Sequence, residues 1–328
     1  MTAIVTGAGG FLGRHVVARL RAEGQRVIAI DDLSTPGSEA RVLHGVRWRI
    51  ADLTTDGANS ANINELSPAG IPDEPITEIW HLASPASPPL YKARQRDTLR
   101  LGGAVLDLLL ATAERHGARL LFASSSEVYG DPAGHGLCLT HQGEEYRGNV
   151  SCTGPRSSYD EAKRYGEAMC CAWTREAGVD TRIARIFNTY GPGMARADGR
   201  VVSALIGAAL SGEVFPLHAG GAQTRSFSYV SDTVDGLFHV MRDGRPATPV
   251  NVGSPHEMTI GALVEFVGEV LGVEIRTQVT PAQDEHDPSR RCPDLRRLRA
   301  LGWTGPKVRL EDGIRATADW MRSTMPAR

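Results

Sequence analysis

The chain has few cysteines, five in 328 residues, at positions 138, 152, 170, 171 and 292. Their number is odd and none share CxxC spacing, which excludes a dense disulfide framework or a zinc knuckle and leaves free thiols of a reducing compartment. A bias of charge is also lacking. With 36 basic against 38 acidic residues, no bulk field draws in nucleic acid or an acidic membrane surface, so an anionic partner must be met by local cations. No apolar run approaches the roughly 18 residues of a membrane span. The opening MTAIVTGAGGFLG has no basic leader and no cleavage site before its first apolar stretch. A cytoplasmic protein is expected. Internal repeats and extended low-complexity tracts are absent as well, and the length suits roughly two domains.

What the chain does have is alternation. Apolar runs predict strands over residues 3–6, 26–30, 46–51, 78–82, 120–124 and 181–186, and amphipathic periodicity predicts helices over 11–22, 97–116 and 158–176. This order predicts an α/β fold, a Rossmann-type doubly wound parallel sheet. After about residue 190 glycine and proline become frequent, and helices are expected over 294–301 and 311–321. The division expected is a mainly cofactor-binding domain over 1–190 and a smaller substrate lobe over 191–328, with some segments returning to the first domain. Residues 54–75, rich in Asn, Ser, Pro and Gly, form a long connection without an obvious role.

TGAGGFLG sets Gly7, Gly10 and Gly13 at GxxGxxG spacing between the first strand and a helix. Glycines allow the backbone to approach a pyrophosphate whose charge rests on the helix N-terminus. The second strand ends in Asp31 and Asp32, the position from which a carboxylate accepts hydrogen bonds from an adenosine ribose and repels a 2′-phosphate. The cofactor expected is therefore NAD. Asp52, after the third strand, is read either as an adenine contact or as an ordinary turn residue.

HLASPASPP, over residues 81–89, ends a strand abruptly, because proline cannot donate to a sheet ladder. At the next strand end stand Ser124, Ser125, Ser126 and Glu127, and YDEAK supplies Tyr159 and Lys163 four apart, on one helical face. An ammonium there favours a phenolate, and moving a phenol from ~10 to ~7 takes about 4 kcal/mol, which the lysine and a positively charged nicotinamide ring together are expected to supply. Serine, tyrosine and lysine in this order behind a dinucleotide motif point to hydride-transfer chemistry.

These residues resemble the extended short-chain dehydrogenase/reductase superfamily and, within it, the UDP-glucuronate decarboxylases. The similarity runs nearly end to end, through TGAGGFLGRH, HLASPASPP, SSSEVYGDP, GPRSSYDEAKRYGE, ARIFNTYGPGM, QTRSFSYVSD and RRCPDL. It implies that Tyr159, with Lys163 and the Ser125 hydroxyl, takes the sugar 4-hydroxyl proton while hydride passes from C4 to NAD. The C6 carboxylate then leaves as carbon dioxide, C5 is protonated, and re-reduction gives UDP-xylose. Glu127 and Arg291 are implied at the carboxylate end of the sugar. The resemblance places Phe11, Leu12, Leu53, Leu82 and Ser84 beside the cofactor. It places Pro85, Ser126, Asn188, Arg200, Arg225 and Tyr229 beside the UDP-sugar, with the two arginines on the diphosphate. It also implies a homodimer paired through helices near 97–116 and 158–176, and no metal.

Two departures stand out. Ser125 occupies a position where the family usually has threonine, and YKARQRDTLRLGGAVL replaces the family's asparagine-proline and threonine-asparagine pattern. Both predict a loosened site that releases some UDP-4-keto-pentose beside UDP-xylose. Ser126 stands where sister 4,6-dehydratases carry aspartate, which argues for decarboxylation. The rival readings are a 4-epimerase or 4,6-dehydratase of the same superfamily and, in another class, a non-catalytic NAD-binding sensor or scaffold.

Overall fold

Strands β1 (Thr2–Thr6), β2 (Arg26–Asp31), β3 (Arg47–Ile50), β4 (Ile76–His81), β5 (Arg119–Ser125) and β6 (Thr181–Ile186) form one parallel sheet with the edge strand Pro249–Val252. The spatial order is the edge strand, β6, β5, β4, β1, β2, β3. This is a computed structural model, and it describes residues 1–35, 45–54, 75–132, 136, 139–281 and 288–324. All of β1 is buried, as expected of a strand covered on both faces. The strand order turns back on itself between β1 and β4, which opens a crevice at their carboxyl ends.

The helices of the first half are α1 (Phe11–Ala22), α2 (Pro88–Ala93), α3 (Gln95–Gly102), α4 (Ala104–His116) and α5 (Ser157–Ala177). Those of the second are α6 (Val201–Ser211), α7 (Val230–Asp243), α8 (Ile260–Leu271), α9 (Arg296–Ala300) and α10 (Leu310–Thr324). Val16, Val17 and Leu20 of α1 pack with Leu237 and Phe238 of α7 in the core that holds Trp80. Leu106, Leu109 and Leu110 of α4 pack with Ile4, Ile79 and Phe122 in a second core. A third core joins Leu205, Ile206, Leu263, Val267, Ile314 and Ala318 in a smaller lobe. Although late in sequence, Pro249–Val252 joins the large sheet and α7 packs in its core. Among the described residues, no helix is long and apolar enough to cross a membrane.

Two expectations need correction, and a third gains a detail. The single helix expected over 97–116 is two, broken at Gly103 with φ −117° and ψ −100°. The paired glycines are poor helix formers, and Gly102 lies so close to α5 that a Cβ would stand 2.5 Å from the Ala162 carbonyl oxygen. The helix expected over 294–301 shrinks to Arg296–Ala300, because the Asp294 carboxylate accepts the Arg296 N–H at 2.9 Å and turns the chain first. Pro88 and Pro89 do more than end a strand, for they open α2, where a missing N–H costs nothing. Most of the 54–75 connection (55–74) and Cys138 lie outside the described residues.

Helix α5 approaches the sheet through Gly166, where an added Cβ would lie 2.3 Å from Phe122 Cζ. Gly166→Ala is expected to destabilise the chain by about 1–3 kcal/mol through overpacking, measured as a lowered denaturant midpoint.

Candidate active site

One cavity of about 790 Å³ lies along the carboxyl ends of the strands. Its cofactor side is built by the turn from β1 into α1. Gly7 has φ +68°, and its missing Cβ lets the chain pass Ala83, whose N would lie 2.7 Å from such an atom. At Gly13 a Cβ would meet the Gly7 carbonyl at 1.9 Å, so the turn closes only with glycine. At Gly10, the N-cap of α1, a Cβ would meet only the Gly7 carbonyl, at 3.1 Å, and would otherwise project into the cavity. The result is a cradle at a helix N-terminus fit for a pyrophosphate.

Asp31 ends β2 and accepts the Gly9 N–H at 2.9 Å and the Leu33 N–H at 2.7 Å. Burial raises its pKa, and these backbone bonds oppose the rise. Asp32 accepts from Ser34 and pairs with Arg94 at 3.2 Å. Asp52 accepts the Thr54 N–H and hydroxyl at 2.8 and 2.7 Å, a turn geometry, and also lines the cavity. Phe11, Leu12, Leu53, Leu82, Ser84 and Pro85 complete this wall.

At the chemical end, β5 delivers Ser125, whose hydroxyl accepts the Glu127 N–H at 3.2 Å as the chain turns into a short 3-10 segment, Ser126–Tyr129. Helix α5 presents Tyr159 and Lys163 on one face. Lys163 Nζ donates to the Ala123 carbonyl at 3.0 Å and lies 5.4 Å from the Tyr159 ring centre. The lysine together with a positively charged nicotinamide ring was expected to draw the phenol down; in the protein alone burial sets the direction. It pushes Tyr159 up to about 12 despite the Ser125 hydrogen bond, and it pushes Lys163 down to about 7. Both groups are driven toward their neutral forms because each loses water and the pair by itself restores too little of that loss.

Glu127 is gripped from two sides. Arg291, on the two-residue strand Arg290–Arg291, donates to both carboxylate oxygens, with Nη2 2.8 Å from Oε2, and Arg156 donates to Oε2 from the start of α5. Burial alone would raise the carboxyl pKa, but the two guanidinium groups outweigh it and lower it to about 2. Asp160 lies behind this cluster. Burial and the neighbouring Glu127 raise its pKa to about 7.

Every residue expected at the site lines this cavity except Tyr229. As the N-cap of α7, Tyr229 turns its ring edge-on to Tyr190 at 5.7 Å and close to Gly313, in the packing between lobes. Arg200 lines the cavity but pairs with Asp198 at 2.5 Å. Arg225 donates to the Thr224 carbonyl, and Asn188 Nδ2 finds no acceptor among the described residues. Sequence reasoning missed Arg156, although it lies within the GPRSSYDEAK stretch, and it missed Tyr91. The Tyr91 ring stacks on Tyr159 at 4.9 Å and 18°. It stands two residues beyond the HLASPASPP loop, where proline-started α2 sets it in place.

Residues 3–253 match the model of the NAD dependent epimerase/dehydratase family. UDP-glucuronic acid decarboxylase 1 of Xenopus tropicalis is 41% identical over 98% of this chain and 72% of its own length. The chain belongs to this family and groups within it with the UDP-glucuronic acid decarboxylases. UDP-glucuronic acid decarboxylase 3 of Arabidopsis thaliana is 38% identical over 96% of this chain and 87% of its length. Among solved structures, MoeE5 in complex with UDP-glucuronic acid and NAD is 26% identical, covers 99% of this chain and 100% of its own, and superposes with a TM-score of 0.80. The glycine cradle and the carboxylates closing β2 fit the NAD of this family.

The depressed Lys163 pKa has a thermodynamic signature. Its folded value lies below its unfolded value, so the unfolded chain binds more protons and stability rises with pH from about 7 upward. Lys163→Met is expected to remove this rise between pH 7 and 8.5 and to leave a more stable, inactive protein. Denaturation of both proteins across that range measures it.

Proposed function

We propose that the chain converts UDP-glucuronate to UDP-xylose by oxidation at C4, loss of carbon dioxide and reduction, with part of the material released as UDP-4-keto-pentose. The observation that carries this reading is the Glu127 carboxylate held between Arg156 and Arg291. A 4,6-dehydratase must protonate a leaving hydroxyl, which needs an acid poised near the working pH. A carboxyl whose pKa is lowered to about 2 cannot serve, its neighbour is Ser126 rather than a second acid, and Asp160, raised to about 7, does not line the cavity. Two guanidinium groups against one carboxylate leave positive charge for a uronate, and the fixed anion favours departure of the C6 carboxylate as neutral carbon dioxide.

Gly7, Gly10, Gly13, Asp31 and Asp32 hold the cofactor, with Phe11, Leu12, Asp52, Leu53, Leu82 and Ser84 along its length. NAD, when bound, supplies a reversible hydride acceptor and a positive charge near the tyrosine. Tyr159 takes the proton from the C4 hydroxyl, and the Ser125 hydroxyl orients that oxygen. Lys163 holds Tyr159 in place and, when protonated, favours its phenolate. The C5–C6 electron pair passes to the C4 carbonyl oxygen as carbon dioxide leaves, and the enolate then returns it to C5, which takes a proton from solvent water at the end of the sugar that Glu127 and Arg291 face. Tyr159 returns its proton as C4 is reduced. Arg200, Arg225 and Asn188 take the UDP portion, Pro85 and Ser126 border the sugar, and residues 191–328 supply both diphosphate arginines while 1–190 mainly hold the cofactor.

A cytoplasmic homodimer completes the reading. Supporting the pairing, Leu99 of α3 and Tyr165 of α5 are 47% and 57% exposed on neighbouring helices. Sedimentation equilibrium is expected to give twice the chain mass.

Incubation with UDP-glucuronate and NAD, followed by product mass, tests the activity. Loss of one carbon dioxide is expected, in both reduced and keto forms, and Ser125→Thr should shift the ratio toward UDP-xylose. Tyr159→Phe should lower turnover by about 10²–10⁴-fold. A product of unchanged mass, or one short of a water, would assign an epimerase or dehydratase instead.

A further inference from the structure

Arg291 stands on a strand of only two residues, which pairs with the strand Thr224–Ser226, is tied to Glu257 through the Arg290 side chain, and is also clamped by one residue outside the cavity. The Gln142 side chain accepts the Cys292 N–H at 2.7 Å through Oε1 and donates to the Arg290 carbonyl at 3.1 Å through Nε2. It therefore bonds the residue on each side of Arg291. The Gln142 backbone N–H donates to the Cys292 carbonyl at 2.8 Å, and its carbonyl accepts the Asp294 N–H at 2.9 Å. Asn251 of the large sheet's edge strand fixes the clamp in turn, with Nδ2 donating to the Gln142 and Asp294 carbonyls at 2.8 and 3.0 Å. Tyr129, which follows Glu127 by two residues, donates to Asn251 Oδ1 at 2.7 Å. One chain of hydrogen bonds thus links both partners of the Arg291–Glu127 pair through the edge of the large sheet.

We propose that Gln142 is a positioning residue for decarboxylation, setting Arg291 against Glu127. This rests on the reading that the site decarboxylates UDP-glucuronate. Gln142 is 2% exposed and does not line the cavity, so it acts through Arg291 and not on substrate. The Arg290 carbonyl and Cys292 N–H are peptide groups that lose their partners if the side chain is removed, and the strand then shifts to find others. A shift on the order of 1 Å at a reacting group slows a step by about 10²-fold. Tyr159, Lys163 and Ser125 stand on β5 and α5 and receive none of these bonds. The loss therefore falls on carbon dioxide release and leaves C4 oxidation intact.

The test compares Gln142→Leu and Gln142→Glu with wild type in single turnovers of UDP-glucuronate with NAD, reading reduced cofactor by absorbance and carbon dioxide by isotope release. Gln142→Leu is expected to form reduced cofactor at about the wild-type rate and to release carbon dioxide about 10–100-fold more slowly. Gln142→Glu keeps the acceptor for Cys292 and is expected to fall between the two, which preserves the test if the leucine variant does not fold. Equal loss of both steps, or wild-type carbon dioxide release from both variants, would overturn the assignment. A wild-type enzyme that oxidises C4 without releasing carbon dioxide would overturn the decarboxylase reading itself, and this assignment with it.

Discussion

A carboxylate buried between two guanidinium groups is costly to assemble, since each ion gives up water that the others must replace. The Glu127, Arg156 and Arg291 cluster meets that cost with hydrogen bonds to both carboxylate oxygens, and much of the architecture serves to bring its members together. β5 ends at the turn that carries Glu127, α5 starts at Arg156, and the small lobe returns a two-residue strand to supply Arg291. The pair Glu127–Arg291 spans 164 residues of chain, so the cluster forms only when both parts of the protein are in place.

The same burial sets the character of the tyrosine and lysine. Deprived of water, Tyr159 is pushed up and Lys163 down, and the phenol is a poor base in the protein alone. In the proposed reaction a cationic cofactor in the groove would supply the missing charge, and the reactive form of the site would then belong to the complex. On that proposal, base strength follows occupancy of the cradle at Gly7, Gly10 and Gly13.

Much of this was legible in the sequence, because the signals are local. β1 and its glycine turn read directly, since TAIVT followed by spaced glycines has few other uses, and β6 and α1 begin and end where their apolar patterns do. What failed to read was set by neighbours far away in sequence. The break at Gly103 follows from α5 pressing on Gly102, and Tyr229 left the site because Tyr190 and the close approach at Gly313 took its ring. The four-residue spacing of Tyr159 and Lys163 fixes a shared face but not how dry that face is. Arg156 and Gln142 were invisible as site residues, since nothing in their flanking sequence tells which carboxylate or strand they will meet.

The central claim is that the arginine-held carboxylate commits the site to uronates. A competition between UDP-glucuronate and UDP-glucose at equal concentration, with excess NAD and products resolved by mass, tests it most directly. The account predicts that UDP-glucuronate alone is consumed and carbon dioxide released. Conversion of UDP-glucose to its 4-epimer or to a dehydrated 4-keto sugar at a comparable kcat/KM would contradict it.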